Sequence, residues 1–180
     1  MYMYLISIYF DDKTNRHIRN FIKQVAKKTG NTYMIDGNVP PHITISAFET
    51  QGLEAVISNL DNAIQHLESG KLIWASISAF LPSVIYLAPV LNSYLQVLSE
   101  QVYESIKDIE GIRIRPKYQP FSWMPHTTIG KKLTPEELRI AFEVIQNSFG
   151  MFEGEAIKIG LAKTNPYEDI KVWKLGGVKK

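Results

Sequence analysis

The chain has 180 residues, 45% of them apolar and 21% charged, with a formal net charge of +2. This composition belongs to a folded protein with a sizeable core; it sets aside wholesale disorder and does not suggest a strongly basic, non-specific RNA binder. There is no cysteine, which excludes disulfides, thiolate metal sites and thiol nucleophiles.

Tyr2 to Phe10 is rich in β-branched and aromatic residues and predicts a strand. It lacks the basic start of a signal peptide, and charges arrive at once with Asp11 and Asp12, so no targeting segment is expected. Ile18, Phe21, Ile22 and Val25 keep helical spacing, with Asp11 or Asp12 to cap the start and Gly30 to stop the helix. A loop from Asn31 to Pro41 follows, in which Asp36 and Asn38 form either a plain turn or part of a lid over the next segment. His42 to Phe48 reads as a strand. Leu53 to Leu67 reads as a helix ending before Gly70, and Leu72–Leu81 with Val84–Val90 as a hairpin broken at Pro82-Ser83. The longest apolar run, Ala79 to Leu91, contains two prolines and is too short to span a bilayer.

The order then restarts. Leu95, Leu98, Val102 and Ile106 predict a helix opened by a Ser93/Gln96 capping box. Arg113, Arg115 and Lys117 form an alternating basic strip with Tyr118, Phe121 and Trp123 close behind. That strip is either a single-stranded RNA surface or a solvated strand with aromatics covering the core. Thr134-Pro135-Glu136-Glu137 is a well-formed helix start, the helix running to about Phe149. Glu155–Lys163 and Ile170–Leu175 read as strands around a turn at Asn165-Pro166.

Within this order one phrase occurs twice, Pro41-His42-Ile43-Thr44-Ile45 and Pro125-His126-Thr127-Thr128-Ile129. In a strand, residues i and i+2 share a face, so each histidine stands beside its threonine. A group that titrates near neutrality is thereby paired with a hydroxyl, twice, which is a kit for acid/base chemistry on a phosphodiester. The histidines are 84 residues apart, near half the chain, and each copy sits at the same point of a recurring helix–strand–helix–hairpin order. One α+β domain spanning 1–180, with two lobes around a pseudo-twofold axis, is the expected architecture. His17 and His66 lie off the apolar stripes with no threonine two residues on, and are expected to face solvent.

The two His-x-Thr motifs and their spacing resemble the signature of the 2H phosphoesterase superfamily, which includes 2′-5′ RNA ligases and RNA 2′,3′-cyclic phosphodiesterases. The resemblance implies a bilobal α+β fold with antiparallel sheets, helices packed outside and both motifs lining one central groove. It implies His42 and His126 as the acid/base pair and Thr44 and Thr128 as phosphate ligands, with no metal and no cofactor. Lys131 stands where many relatives place an arginine, and is a further phosphate-contact candidate. Thr127 stands where they place an aliphatic residue. Tyr86 either points into the groove or is an ordinary sheet tyrosine. The expected activity is metal-independent hydrolysis of cyclic 2′,3′-type or 2′-5′ phosphodiesters of RNA or nucleotides; the other reading is a non-catalytic RNA- or nucleotide-binding module using the same groove. The expected partners are RNA ends or small nucleotides and no membrane, with the protein a cytoplasmic monomer. Which histidine is acid and which base stays open.

Overall fold

Asp11 both ends the first strand and opens the first helix. In the computed structural model, which describes residues 2–176, β1 (Tyr2–Phe10) leads directly into α1 (Asp12–Thr29). The Asp11 carboxylate accepts from the Thr14 backbone N–H at 3.0 Å, satisfying one of the donors a helix start leaves free. Gly30 closes the helix in the left-handed conformation, with φ 77°. Ile18, Phe21, Ile22 and Val25 form the buried face that their spacing predicts.

The following loop contains one short helical turn that the sequence pattern did not announce, α2 (Tyr33–Asp36). Then come β2 (His42–Thr50), α3 (Glu54–Ile64) and the hairpin β3 (Gly70–Phe80) with β4 (Val84–Pro89). α4 (Ser93–Ile106) is capped differently from the expectation: the Asn92 side chain, one residue before Ser93, accepts from the Leu95 N–H at 2.9 Å. Ser93 is already the first helical residue, so its side chain is past the position from which a cap can reach. β5 (Arg113–Ile114) and a 3-10 turn (Pro116–Tyr118) precede β6 (Thr127–Gly130). α5 (Pro135–Gln146) opens with the predicted reciprocal cap: Glu137 N–H donates to Thr134 Oγ1 at 3.2 Å and Thr134 N–H to Glu137 Oε2 at 2.6 Å. β7 (Phe152–Lys163) and β8 (Glu168–Lys174) are the last elements among the described residues.

The eight strands form one sheet in the order β5-β2-β1-β7-β3-β4-β6, with β8 also paired to β7. Every strand pairing is antiparallel. β7 forks: one edge lies along β1, while on the other edge Phe152–Ala156 pairs with β3 and Lys158–Lys163 with β8. The two halves of the chain therefore exchange hairpins. The β3–β4 hairpin of the first half carries β6, the motif strand of the second, and the β7–β8 hairpin of the second half lies on β1, the partner of β2. β2 and β6 touch although four strands separate them in the order, so the sheet curls and its two wings face each other. Helices pair as α1 with α5 and α3 with α4 against the outer face. Ile6, Ile8 and Phe10 of β1 point into that core, while Leu5, Ser7 and Tyr9 alternate to the other face, where the site lies.

Candidate active site

The repeated proline has a local function. Proline holds the residue before it extended, and in both copies the carbonyl of that preceding residue meets the histidine ring two positions on. His42 Nδ1 lies 2.8 Å from the Pro40 carbonyl oxygen, and His126 Nδ1 lies 2.9 Å from that of Met124. A carbonyl only accepts, so Nδ1 carries the proton in both rings. Each Nε2 is thereby left with the lone pair, or the titrating proton, and has no protein partner among the described residues.

The motif's isoleucine also has a local role. In the β1–β2 ladder Ser7 pairs with Thr44 and Ile6 with Ser46; in the β4–β6 ladder Tyr86 pairs with Thr128 and Ile85 with Gly130. Ile45 and Ile129 are thus the extra residues of two β-bulges at equivalent places, each buried in the core while the strand bends beside its threonine.

Thr44 is buried, with the Ser7 hydroxyl 3.4 Å from its own, and Thr128 is half-buried on the edge facing Tyr86. Thr127 points the other way, into the core, where its hydroxyl accepts from the Trp74 indole N–H at 3.1 Å. An aliphatic residue there would leave that N–H without a partner, which accounts for the departure from the family pattern.

Trp123 ties the motifs together. It is buried, and its indole N–H donates to the Thr44 carbonyl at 2.9 Å, from the segment entering the second motif to the strand of the first. The aromatic-basic strip therefore divides. Trp123 belongs to the core, Arg115 pairs with Glu49 at 2.5 Å, and Lys117 and Tyr118 line a cavity with His126. Phe121 remains exposed.

The histidines open onto two cavities. The one at His126, about 360 Å³, is walled by Phe80, Tyr118 and Met124 with Lys117 at its margin. The other, about 560 Å³, holds His42 with Lys131, Asp36, Tyr33 and Tyr167. Lys131, just beyond the second motif strand, thus faces the histidine of the first. Asp36 reaches the same cavity through the helical turn α2, and its carboxylate accepts from the Thr32 hydroxyl at 2.6 Å. Tyr86 is a buried sheet residue whose ring packs on His126 at 5.5 Å, with Phe80 edge-on at 4.8 Å. His17 is exposed and rests edge-on against Phe152, while His66 lies exposed in the turn after α3 rather than on the helix.

Burial holds both imidazoles below the ordinary histidine value of 6.5. For His42 the Pro40 carbonyl and Asp169 oppose that shift, while the charges of His126 and Lys131 add to it. For His126 only the Met124 carbonyl opposes it. Among the described residues, no group of three or more His, Cys, Asp or Glu side chains is placed to hold a metal ion, and no helix is long and apolar enough to cross a membrane.

Sequence pattern did not single out Tyr9, Tyr167 and Asp169, which form a hydrogen-bonded group beside His42. Their only signal was a tyrosine at an inward position of the first strand, and nothing local pairs it with a turn more than 150 residues away.

Solved structures share this fold over nearly their full length. A Thermus thermophilus protein, TT0787, superposes with a TM-score of 0.64 at 12% identity, covering 98% of this chain and 100% of the other. A phosphoesterase gives 0.60 at 14% identity, covering 98% and 99%. E. coli LigT, complexed with NADP+, gives 0.58 at 15% identity, covering 97% and 98%. No curated protein matches the chain by sequence. The family model of the 2′-5′ RNA ligase superfamily matches residues 14–166, which takes in both motifs, their connecting hairpin and all of β7. With two Pro-His-x-Thr-Ile segments folded to equivalent bulged strands at the two wings of the sheet, the chain belongs to the 2′-5′ RNA ligase superfamily.

Proposed function

We propose that the protein is a phosphoesterase that opens cyclic 2′,3′-type or 2′-5′ phosphodiesters of RNA or nucleotides, with His42 and His126 as the acid/base pair. One observation carries this reading. Both rings are held by Nδ1 on the carbonyl two residues before them, which leaves Nε2 of each as the titrating nitrogen, and each ring lines a cavity. In the hydrolytic direction, the neutral Nε2 of one ring takes the proton of the attacking water. The protonated Nε2 of the other gives its proton to the ester oxygen that leaves phosphorus. Each transfer contributes on the order of a hundred- to ten-thousand-fold. Thr44, Thr128 and Lys131 bind the non-bridging oxygens and hold the charge that builds on them. No step calls for a metal ion. The complexes of E. coli LigT with 3′-AMP, phosphate and ATP support a nucleotide or phosphate ligand for this fold.

The test is turnover of nucleoside 2′,3′-cyclic phosphates and 2′-5′ dinucleotides in the presence of EDTA, with His42→Ala and His126→Ala alongside. The wild type turns over with EDTA present and each variant loses at least about a hundredfold. Equal turnover by wild type and both variants would overturn the assignment; tight binding of the same panel without conversion would replace it with a binding module.

A further inference from the structure

The loop joining β7 to β8 forms one wall of the His42 cavity through Thr164, Asn165, Pro166 and Tyr167. Both its ends are fastened. Thr164 donates through its backbone N–H and its hydroxyl to the Met3 carbonyl, each at 3.1 Å, which fixes the start of the loop to β1. Asn165 turns the chain with φ 56°, a conformation asparagine tolerates better than most side chains. At the far end the Tyr167 hydroxyl donates to Asp169 Oδ1 at 3.1 Å, and the Tyr9 hydroxyl reaches the same oxygen at 2.6 Å. The two phenol oxygens also touch each other.

Tyr9 is not free to leave. Its ring lies over Gly160, whose missing side chain makes the space it occupies; a Cβ there would fall on the ring. Burial raises the Tyr9 and Tyr167 phenols above their ordinary value of 10.0, which favours their neutral, donating forms. The consequence of this fastening is where it leaves the Tyr167 ring: 6.5 Å from the His42 imidazole, centre to centre, and inclined to it by only 27°. His126 has a different support, the aromatic pair Phe80 and Tyr86 from the hairpin.

We propose that Asp169, by gathering Tyr9 and Tyr167 on one carboxylate oxygen, fixes the Tyr167 ring against His42 and is the positioning residue for that imidazole. The proposal rests on the reading of His42 as an acid/base group, and goes beyond it by naming what sets the ring's plane. The carbonyl contact at Nδ1 holds one edge of the imidazole; the inclined Tyr167 ring, 6.5 Å away centre to centre, borders the ring on the cavity side and limits how far it tilts about that contact. Asp169 itself lies at the surface, so its replacement leaves the core intact.

The experiment compares wild type with Asp169→Ala, Asp169→Asn and Tyr167→Leu in two readouts: the ring Cε1–H signals of His42 and His126 by NMR, and kcat and KM on a nucleoside 2′,3′-cyclic phosphate. Asp169→Ala and Tyr167→Leu move or broaden the His42 signal and leave that of His126 in place. Both lower kcat by about ten- to a hundredfold, the scale of a misplaced catalytic group, with KM nearly unchanged. Asp169→Asn keeps an oxygen that accepts from both phenols and restores most of kcat and, in spectra recorded above pH 7 where the imidazole is neutral and loss of the Asp169 charge no longer changes its protonation, the His42 signal. A His42 signal that superposes on the wild type in Asp169→Ala overturns the proposal, as does an Asp169→Asn variant that behaves like Asp169→Ala. If no form turns over any cyclic phosphate but the His42 signal still moves as described, the clamp stands and the phosphoesterase reading falls.

Discussion

Replacing Trp123 with phenylalanine removes a single N–H from the contact that ties the two motifs together. The indole donates to the Thr44 carbonyl at 2.9 Å, and the ring is buried. In the variant that carbonyl loses the partner that enters from the second motif. A buried polar group left without its partner costs about 1–3 kcal/mol. Loss of the larger ring adds a cavity in a wall that β2 and β6 share, so the upper half of that range is expected. For a chain of this size the change corresponds to a fall in Tm of roughly 4–12 °C. Urea unfolding followed by tryptophan fluorescence, with Trp74 and Trp173 retained as reporters, gives the free-energy change directly. The same contact fastens the segment entering His126 to the strand that carries His42 and Thr44. At a temperature where the variant is fully folded, kcat on a cyclic phosphate is expected to fall about tenfold or more, since small displacements of reacting groups are costly. Unfolding within about 0.5 kcal/mol of wild type, the scale of a neutral surface change, would show that the indole bond is not a tie between the motifs. A full loss of stability with unchanged kcat would show that it does not set the geometry of the site.

Other expectations follow from the same geometry. Thr127→Val strands the buried Trp74 N–H and costs about 1–3 kcal/mol in urea unfolding while leaving kcat unchanged, whereas Thr128→Val does the reverse; equal effects on activity would contradict the opposite orientations of the two side chains. Gly160→Ala drives a Cβ into the Tyr9 ring and destabilises by about 1–3 kcal/mol, the usual cost of overpacking; wild-type stability and kcat together would mean that the ring has room to move. Because both imidazoles are held below 6.5, the form with one ring charged and one neutral belongs to acid solution, and kcat/KM is expected to peak below that value and decline towards neutrality. An optimum above pH 7 would refute it. In the same window the unfolded chain binds protons that the native rings refuse, so stability falls as pH drops below 6.5; the urea midpoint of wild type is expected to lose more between pH 7 and 5.5 than that of a His42→Asn, His126→Asn double variant.

The elements were legible because each is locally consistent. Asp11 and Gly30 bracket α1, Thr134 and Glu137 cap α5, and inward residues recur at the right period in both. The site residues were legible because the same five-residue phrase occurs twice at matching places. What was hidden depends on contacts between distant segments. Ser93 and Asn92 are equally good caps on paper, and only the entry direction of the chain decides for Asn92. Nothing in Thr-Ile marks a bulge, since the extra residue is defined by the partner strand. Trp123 reads as a candidate for stacking on bases until β2 is seen beside it, and Tyr9, Tyr167 and Asp169 meet only through the β1–β7–β8 ladders. The separate cavities at His126 and His42 have the same origin, because each is walled by the hairpin of the other half.

The β1–β7 ladder joins Tyr4 to Lys163 and Phe10 to Ala156. On the ribosome, β1 can take up β2 early, but its other edge must wait until the last strands have been made. At about 5–20 residues per second, that interval is roughly 6–23 seconds. Throughout it, the unpaired edge of Tyr2–Phe10, the most β-prone stretch near the start of the chain, is available to any other strand it meets. A chain stopped before β7 would keep that edge for good, so incomplete copies of this protein are its expected aggregating species, and the finished copy closes its own vulnerability only with its final hairpin.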